Sequence, residues 1–263
     1  MPTDVANENS TKIALVTGGA KRIGKSIALR LAENGWSVAI HYRKSAAKAE
    51  VVAAEVRLRG GRAMTVAADL GNEDEVVTII PRVTAELGPL TLLVNNASVF
   101  EMDKADTVTR ESWDKHIEAN LRAPFVLSQA FARQLPEGEQ GNIVNLLDQR
   151  VWKPNPQFFT YALSKAALWA ATRTLAQALA PRIRVNAVGP GPTLPSIHQA
   201  PEDFAAEAAN VPLGRRATPE EIARAVLYLV DAPSVTGQMI AVDGGQHLAW
   251  RTPDIAPETL GES

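Results

Sequence analysis

The sequence predicts one α/β domain, a doubly wound parallel sheet of about seven strands with helices on both faces. Three observations predict this class. Short β-branched or apolar runs alternate with longer Ala-rich stretches, which is the pattern of repeated βαβ units. The first run leads directly into a glycine-rich turn at residues 17–24. The 263 residues contain no internal repeat or Pro/Gly-rich linker, so a single-domain, Rossmann-type fold is expected.

Apolar or β-branched runs of strand length mark the predicted strands. In chain order they lie at residues 12–17, 36–42, 63–68, 90–95, 142–147, 183–188 and 239–242. The stretches of helical length and composition lie at residues 23–33, 46–59, 73–87, 110–134, 160–180 and 219–230. Gly35, Gly60 and Gly88 follow the first three of these stretches, as helix-ending glycines do.

Two further stretches carry predictions about the surface of the domain. Residues 189–200 contain three prolines and lead into a short predicted helix at residues 202–209. A long irregular loop inside a compact domain usually covers a site. The helix at residues 160–180 has only Lys165 and Arg173 as charged residues. It is therefore predicted to be buried on two sides, against the sheet and against a second subunit.

Composition and charge exclude several function classes. Apolar residues at 46% and charged residues at 21% fit a soluble globular chain. A net charge of −2 provides no basic field for nucleic acid, and no uncharged apolar stretch approaches the roughly 18 residues that cross a bilayer. The absence of Cys excludes disulfides, thiolate metal sites and a cysteine nucleophile. We expect a cytoplasmic protein without a metal site, a nucleic-acid partner or a membrane partner.

The two ends of the chain are predicted to lie outside the domain. Residues 1–11 lack the basic and apolar regions of a signal peptide and are predicted to be a flexible N-terminus. Residues 249–263 have mixed polarity and two prolines, which predicts a C-terminal tail. The domain is thus expected to span residues 12–248.

The glycine-rich turn that follows the first strand is a candidate phosphate site. Glycines allow a close approach of the backbone, and the first amides of the following helix can hold a pyrophosphate. The candidate cofactor residues here are Gly18, Lys21, Arg22, Ile23 and Gly24. A tight strand-to-helix turn without a ligand is the alternative.

The end of the second strand predicts the choice of dinucleotide. About 20 residues after the glycine turn, an NAD site has an acidic residue for the ribose hydroxyls. This chain has no carboxylate there; it has His41, Tyr42, Arg43, Lys44 and Ser45. Two cations and a hydroxyl suit a 2′-phosphate, so NADPH is predicted as the cofactor. The alternative is a solvated basic corner at the start of the next helix.

The end of the third strand adds two candidate cofactor residues, Asp69 and Leu70. The Asp69 carboxylate could accept a hydrogen bond from an adenine amino group. Its alternative role is to cap the helix that follows.

Tyr161 and Lys165 form a candidate acid–base pair. A spacing of four residues places both side chains on one face of a helix. A phenol with a pKa near 10 is a weak catalyst at neutral pH, and a neighbouring ammonium is expected to lower that pKa. The pattern also occurs by chance as a surface pair, so it becomes informative only together with the other motifs.

Five spaced motifs resemble those of the short-chain dehydrogenase/reductase family over about residues 12–248. They are the T-G-x-x-x-x-x-G turn from Thr17 to Gly24, Asn95-Asn96-Ala97, Asn120, Tyr161-x-x-x-Lys165 and Gly189-Pro190-Gly191. The resemblance implies that Tyr161 donates a proton, that Lys165 holds the ribose and tunes the tyrosine, and that Asn120 supports a water chain to Lys165. It also implies that Asn96 and Ala97 line the adenosine side, that Pro190 and Gly191 line the nicotinamide side, and that the protein is a homotetramer.

Two departures from the general family pattern resemble the pteridine reductase branch, with its bacterial dihydromonapterin and dihydrofolate reductase relatives. Arg22 stands in place of the middle glycine of the turn, and Asp148 stands in place of the usual catalytic serine. The runs His41-Tyr42 with Ser45, Asn96-Ala97-Ser98-x-Phe100 and Asp243-Gly244-Gly245-x-His247-Leu248 are similar to that branch too.

The leading hypothesis is an NADPH-dependent reductase that converts dihydropterins or dihydrofolate to the tetrahydro form. Phe100 and the nicotinamide would sandwich the flat ring, and Arg22 and Ser98 would bond to its polar edge. Tyr161 and Asp148 would deliver a proton to nitrogen. One alternative is a carbonyl reductase of another small substrate, with Asp148 in the hydrogen-bonding place of the serine. A third is a protein that senses NADPH without turnover.

Overall fold

The computed structural model describes residues 12–195 and 200–249. Within these residues, seven parallel strands form one sheet in the order β3-β2-β1-β4-β5-β6-β7. The strands are β1 Ile13–Val16, β2 Ser37–Tyr42, β3 Ala63–Ala67, β4 Leu92–Asn95, β5 Gly141–Leu146, β6 Ile183–Pro190 and β7 Met239–Val242. Every predicted strand is present.

The described residues contain eight α-helices. They are α1 Arg22–Glu33, α2 Ala46–Leu58, α3 Glu73–Leu87, α4 Arg110–Ile117, α5 Ala123–Gln134, α6 Phe159–Leu179, α7 Pro201–Ala209 and α8 Pro219–Asp231. Short 3₁₀ turns lie at Gln149–Val151 and Gln246–Leu248. No helix of the described part is long and apolar enough to cross a membrane.

The main difference from the prediction lies at residues 110–134, which were expected to form one helix. The structure divides them into α4 and α5, joined by a π-helical turn at Glu118–Arg122. Pro124 follows this turn and has no N–H to donate into a regular helix ladder. Because a π turn inserts residues without breaking the run of helical dihedrals, the hydrophobic pattern does not reveal it.

The core lies on both faces of the sheet. Helices α1, α2 and α8 cover one face, where Ile27, Ile40 and Val226 are fully buried. Helices α3, α5 and α6 cover the other face, where Ile79 and Phe131 are fully buried. Burial on two faces explains why the strands are continuous apolar runs without alternation.

Strand order locates the candidate site. The chain winds outwards in opposite directions from β1 and β4, which are neighbours. In such sheets a crevice opens beyond the carboxyl ends of these strands, where ligands bind. The predicted ends of the chain, residues 1–11 and 250–263, lie outside the described residues, as do positions 196–199 of the predicted covering loop.

Candidate active site

The side chain of Thr17 joins the two loops that border the crevice. Its Oγ1 accepts hydrogen bonds from the backbone amides of Asn96 at 2.9 Å and Ala97 at 3.0 Å. In return, Asn96 Nδ2 donates to the Thr17 carbonyl at 2.8 Å. The glycine-rich turn after β1 and the loop after β4 are therefore held as one unit. Thr17 begins the predicted glycine-rich turn, but no role was predicted for its side chain.

The glycine-rich turn has the shape of an anion cradle. Gly18 has φ +63°, and a Cβ on Gly24 would lie 2.3 Å from the Gly18 carbonyl oxygen, so both positions require glycine. Lys21 is exposed and precedes α1, whose first turn has no side-chain cap and no acidic residue. Uncapped amides at a helix N-terminus favour an anion, so the turn fits the pyrophosphate of a dinucleotide.

His41 holds the glycine-rich turn in place through a hydrogen bond to its backbone. It is buried, its Nδ1 accepts from the Gly18 amide at 3.1 Å, and its Nε2 lies 3.1 Å from the Ala68 carbonyl. These bonds define a neutral ring with its proton on Nε2. Burial lowers the pKa of His41 from 6.5 to about 4, although the Ala68 carbonyl and Asp69 both favour the charged form. Both ring nitrogens are occupied by protein, so His41 positions the turn.

His41 is expected to make the protein sensitive to acid. The unfolded chain takes up a proton near pH 6.5, but folded His41 resists protonation until about pH 4, so stability falls as pH drops through this window. From about pH 7 to about pH 5 the expected loss from this residue is about 2 kcal/mol. Urea unfolding at several pH values measures it. In His41→Gln the pH slope should become shallower; an unchanged slope would contradict the assignment.

The rest of the predicted basic corner faces solvent. Arg43 and Lys44 are exposed, and Tyr42 and Ser45 are half-buried. The Arg43 guanidinium lies 4.0 Å from the Asp69 carboxylate, and because both side chains are about half exposed this pair is weak.

Asp69 does not cap α3. Its Oδ1 accepts from the Gly71 amide at 3.0 Å, whereas the cap of α3 is Asn72, which accepts from the Asp74 amide. Leu70 is buried in the core beneath. The alternative of a helix-capping Asp69 is therefore wrong.

Tyr161 and Lys165 lie in the first two turns of α6, and both are buried. The Tyr161 hydroxyl donates to Asp148 Oδ2 at 2.8 Å. Lys165 Nζ donates to the Leu146 carbonyl at 2.7 Å and lies 5.8 Å from the centre of the Tyr161 ring. Leu146 ends β5 and Asp148 follows it closely, so this strand sets both contacts.

The expected lowering of the Tyr161 pKa by Lys165 is not what the structure shows. Burial, followed by the charge of Asp148 and the hydrogen bond to it, raises the pKa of Tyr161 well above 10, and Arg150 opposes this only in part. Burial also lowers the pKa of Lys165 to about 8, against the attraction of Asp148. Tyr161 therefore keeps its proton at neutral pH, as a proton donor must.

Asn120 lies in the π turn, fully buried, and its amide faces α6. Its Nδ2 donates to Ser164 Oγ at 3.1 Å and to the Val99 carbonyl at 2.9 Å, while its Oδ1 accepts from the Val99 amide at 2.7 Å. π turns are frequent at functional sites because they reorient a side chain. Here the turn joins α6 to the loop after β4.

One cleft of about 590 Å³ brings together many of the predicted residues. Those that line it are Arg22, Ile23, Asn96, Ser98, Phe100, Asp148, Tyr161, Lys165, Pro190 and Gly191. Gly191 allows β6 to meet β7 closely, since a Cβ there would lie 2.6 Å from the Asp243 side chain. Gly18, Ala97, Asn120 and the basic corner do not line this cleft.

Two further aromatic and charged side chains in the cleft were not predicted. The Phe158 ring stacks on the Phe100 ring with centres 4.0 Å apart, and the Phe100 ring meets the edge of Tyr161 at 4.7 Å. The Arg150 guanidinium lies 5.6 Å from both phenylalanine rings and 3.4 Å from Asp148 Oδ2. Arg150 follows Asp148 by two residues, but no local pattern indicates that its side chain turns into the cleft.

Arg22 and the outer wall also differ from expectation. Arg22 has φ +55°, unusual for a residue with a side chain, and its guanidinium donates to the Leu194 carbonyl at 3.1 Å. Leu194, Phe204 and Glu207 line the cleft from the segment after β6 and from α7. The Trp152 ring lies 5.0 Å from the His247 ring, and neither residue lines the cleft. The described part of the predicted covering loop therefore lies at the cleft.

These features define the class of the protein. A doubly wound parallel sheet places an anion cradle and a buried tyrosine–lysine pair at one crevice, which is the arrangement of a dinucleotide-dependent oxidoreductase. A family model described as "Enoyl-(Acyl carrier protein) reductase" matches residues 18–247. The chain belongs to the short-chain dehydrogenase/reductase family, and it is an oxidoreductase of that family.

The similar proteins include reductases that are described with different substrates. The 3-oxoacyl-[acyl-carrier-protein] reductase FabG of Staphylococcus aureus is 36% identical over 243 residues, which is 90% of this chain and 99% of that protein. The crystal structure of FolM alternative dihydrofolate reductase 1 from Brucella canis complexed with NADP is 52% identical, with a TM-score of 0.89 over 93% of this chain and 97% of that one. A blue fluorescent protein from a metagenomic library, solved with NADPH, is 34% identical, with a TM-score of 0.83 over 89% and 97%. The resemblance to the pteridine reductase branch is thereby supported.

Proposed function

We propose that this protein is a cytoplasmic, NADPH-dependent reductase that converts dihydropterins or dihydrofolate to the tetrahydro form. The hydrogen bond between the Tyr161 hydroxyl and the Asp148 carboxylate carries the proposal. A carboxyl group can pass or hold a proton for a ring nitrogen, which a serine hydroxyl in that place does less readily. The FolM structure from Brucella canis supports it as the solved relative at 52% identity.

The preference for NADPH rests on the basic corner. Arg43 and Lys44 are exposed at the end of β2, and the weak contact between Arg43 and Asp69 leaves the guanidinium able to turn towards a 2′-phosphate. The cradle formed by Gly18 and Gly24 fits the pyrophosphate, and Lys165 is proposed to hold the ribose. NADPH and NADP are also the dinucleotides in the solved relatives.

The chain's own residues provide the proton and a face on which the substrate ring can stack. NADPH, when bound, supplies the hydride for the substrate carbon. Buried Tyr161 holds a proton at its hydroxyl and donates a hydrogen bond to the Asp148 carboxylate at 2.8 Å. After Tyr161 has given its proton to the substrate nitrogen, Asp148 is placed to take up a proton from water and return it to the phenol. The Phe100 ring offers a flat apolar face to a heterocycle, worth about 0.5–1.5 kcal/mol beyond area burial. The Phe158 ring now covers one face of the Phe100 ring. For a substrate heterocycle to stack on that face, Phe158 must move aside.

A substrate panel tests the proposal. We expect NADPH oxidation with dihydrobiopterin, dihydromonapterin or dihydrofolate, followed by the loss of near-ultraviolet absorbance and by chromatography of the tetrahydro product. Asp148→Ser should lower this turnover by about 10²-fold, because the proton path loses its carboxyl group. Turnover confined to ketones would reject the pterin assignment.

A second candidate is a carbonyl reductase, favoured by the FabG relatives at 36% identity. In that case Asp148 fills the hydrogen-bonding place of the serine. The same panel separates the two functions, because Asp148→Ser would then maintain or raise ketone turnover. A pterin reductase would lose pterin turnover in Asp148→Ser, whereas a carbonyl reductase would keep or gain ketone turnover in the same variant.

We also propose assembly as a homotetramer. Leu163 on α6 is 39% exposed, Trp169 on the same helix is partly buried, and the helix has few charges. Packing of this helix against a second copy would remove that apolar surface from water. Light scattering of the purified chain at micromolar concentration tests the assembly, and a monomeric mass would contradict it.

A further inference from the structure

The segment from Ser98 to Asp103 alternates between two roles. Ser98, Phe100 and Met102 line the cleft. Val99, Glu101 and Asp103 alternate with them and are hydrogen-bonded to helices, Val99 and Glu101 through the backbone and Asp103 through its carboxylate and its carbonyl. We call these three residues the anchors.

The first two anchors bind the π turn and α4. The Val99 backbone forms two hydrogen bonds with the Asn120 amide. The Glu101 amide donates to His116 Nε2 at 3.2 Å, and His116 Nδ1 lies 2.9 Å from the Ser112 carbonyl. These two anchors reach α6 only through a further residue. Asn120 also donates to Ser164 Oγ, which donates to the Tyr161 carbonyl at 2.7 Å, and the His116 ring centre lies 6.5 Å from that of Tyr161.

The third anchor, Asp103, binds the start of the catalytic helix. It is buried, its Oδ1 accepts from the Thr160 amide at 3.0 Å, and its Oδ2 accepts from Thr160 Oγ1 at 2.5 Å. Its Oδ2 also accepts from Ser112 Oγ at 2.6 Å, and its backbone carbonyl accepts from the Phe159 amide at 3.3 Å. All the bonds of this carboxylate therefore converge on the first turn of α6 and on α4.

Helix α6 lacks a cap of its own. Phe158, the residue before the helix, has φ +55° and no side-chain hydrogen bond to the first turn. The first amides of a helix need acceptors, and a carboxylate there is favoured by the helix dipole. Asp103 supplies that acceptor from 57 residues earlier in the chain. The residue that it caps, Thr160, immediately precedes Tyr161.

We propose that Asp103 is a positioning residue of the reductase, which sets Tyr161 relative to Phe100. One carboxylate holds the helix that carries the phenol and the segment that carries the stacking ring, whose centre lies 4.7 Å from that of Tyr161. Asp103 does not line the cleft, so it acts through these two residues. The inference requires reductase turnover at this site but not a pterin substrate.

The test compares Asp103→Ala with Asp103→Asn and with a remote cap variant, Thr218→Ala, which removes the side-chain cap of α8. Alanine removes every side-chain bond. Asparagine keeps an acceptor for the Thr160 amide and can donate to the Thr160 and Ser112 hydroxyls. Both Asp103→Ala and Thr218→Ala should lower Tm, since both remove a helix cap.

We expect kcat to fall by about 20-fold or more in Asp103→Ala, because small displacements of an acid–base group are costly, with the NADPH Kd within about twofold. Asp103→Asn should recover kcat to within about fivefold of the parent, and Thr218→Ala should keep kcat within about twofold. In a Tyr161→Phe background, Asp103→Ala should cause no further loss, because the group that it positions is already absent.

A purely structural role gives the opposite results. A loss of kcat below about threefold in Asp103→Ala, or an equal further loss in the Tyr161→Phe background, overturns the proposal. If Asp103→Ala does not fold, Thr160→Val, which removes one hydroxyl bond, should still lower kcat by about three- to tenfold.

Hydrogen exchange of the first α6 amides in the NADPH complex should accelerate in Asp103→Ala but not in Thr218→Ala. All kcat values are measured with the panel substrate that the parent reduces fastest, so a parent active only on ketones rejects the pterin proposal and leaves this test intact.

Discussion

Tyr161→Phe is expected to reduce turnover by about 10³-fold or more while NADPH affinity stays nearly unchanged. The substitution removes one hydroxyl from a buried ring and leaves its packing against Phe100 in place. It deletes the proposed proton donor and the bond to Asp148, but none of the groups proposed to hold the phosphates. Steady-state NADPH oxidation gives kcat, and quenching of protein fluorescence on titration with NADPH gives the Kd.

Tyr228→Phe is the matched control, since Tyr228 is 58% exposed on α8 and lies outside the cleft. It should match the parent in both measurements. Parent-like turnover in Tyr161→Phe would contradict the role of the phenol. A parent protein that binds NADPH tightly but turns over none of the pterins or ketones would instead favour the third hypothesis, a sensor without catalysis.

Much of the fold was predictable because buried parallel strands are continuous apolar runs. The seven predicted strands and the glycine turn all appear, since their signals are local. The π turn at Glu118–Arg122 was not predictable, because the residues around it keep the composition of a helix. It nevertheless determines where Asn120 points.

The site was predictable only as far as its motifs are local. Tyr161 and Lys165 share a helix face, so their proximity follows from spacing alone. The pKa of Tyr161 depends on burial and on Asp148, which is 13 residues away and on another element, so the sequence predicted its direction wrongly. The hydrogen bond between Asp103 and Thr160 joins residues 57 positions apart, and no local sequence pattern around either residue predicts it.

The double variant Arg43→Ala with Lys44→Ala is expected to weaken NADPH binding far more than NADH binding. Each charge-assisted bond to a 2′-phosphate contributes about 1.5–3 kcal/mol, so two lost bonds predict a Kd for NADPH raised by about 10²-fold or more. NADH lacks that phosphate, so its Kd should change by less than about threefold. The ion pair of Arg43 with Asp69 is too exposed for its loss to disturb the fold.

The control for this pair is Arg133→Ala with Arg224→Ala, which removes the same charge from exposed positions on α5 and α8. It should leave both Kd values unchanged, and it separates a local contact from the general field of the protein. The difference between NADPH and NADH should also shrink as salt increases, because exposed charge pairs are screened. Equal weakening of both dinucleotides would mean that the basic corner never touches the phosphate, and the choice of NADPH would then have to come from another part of the crevice.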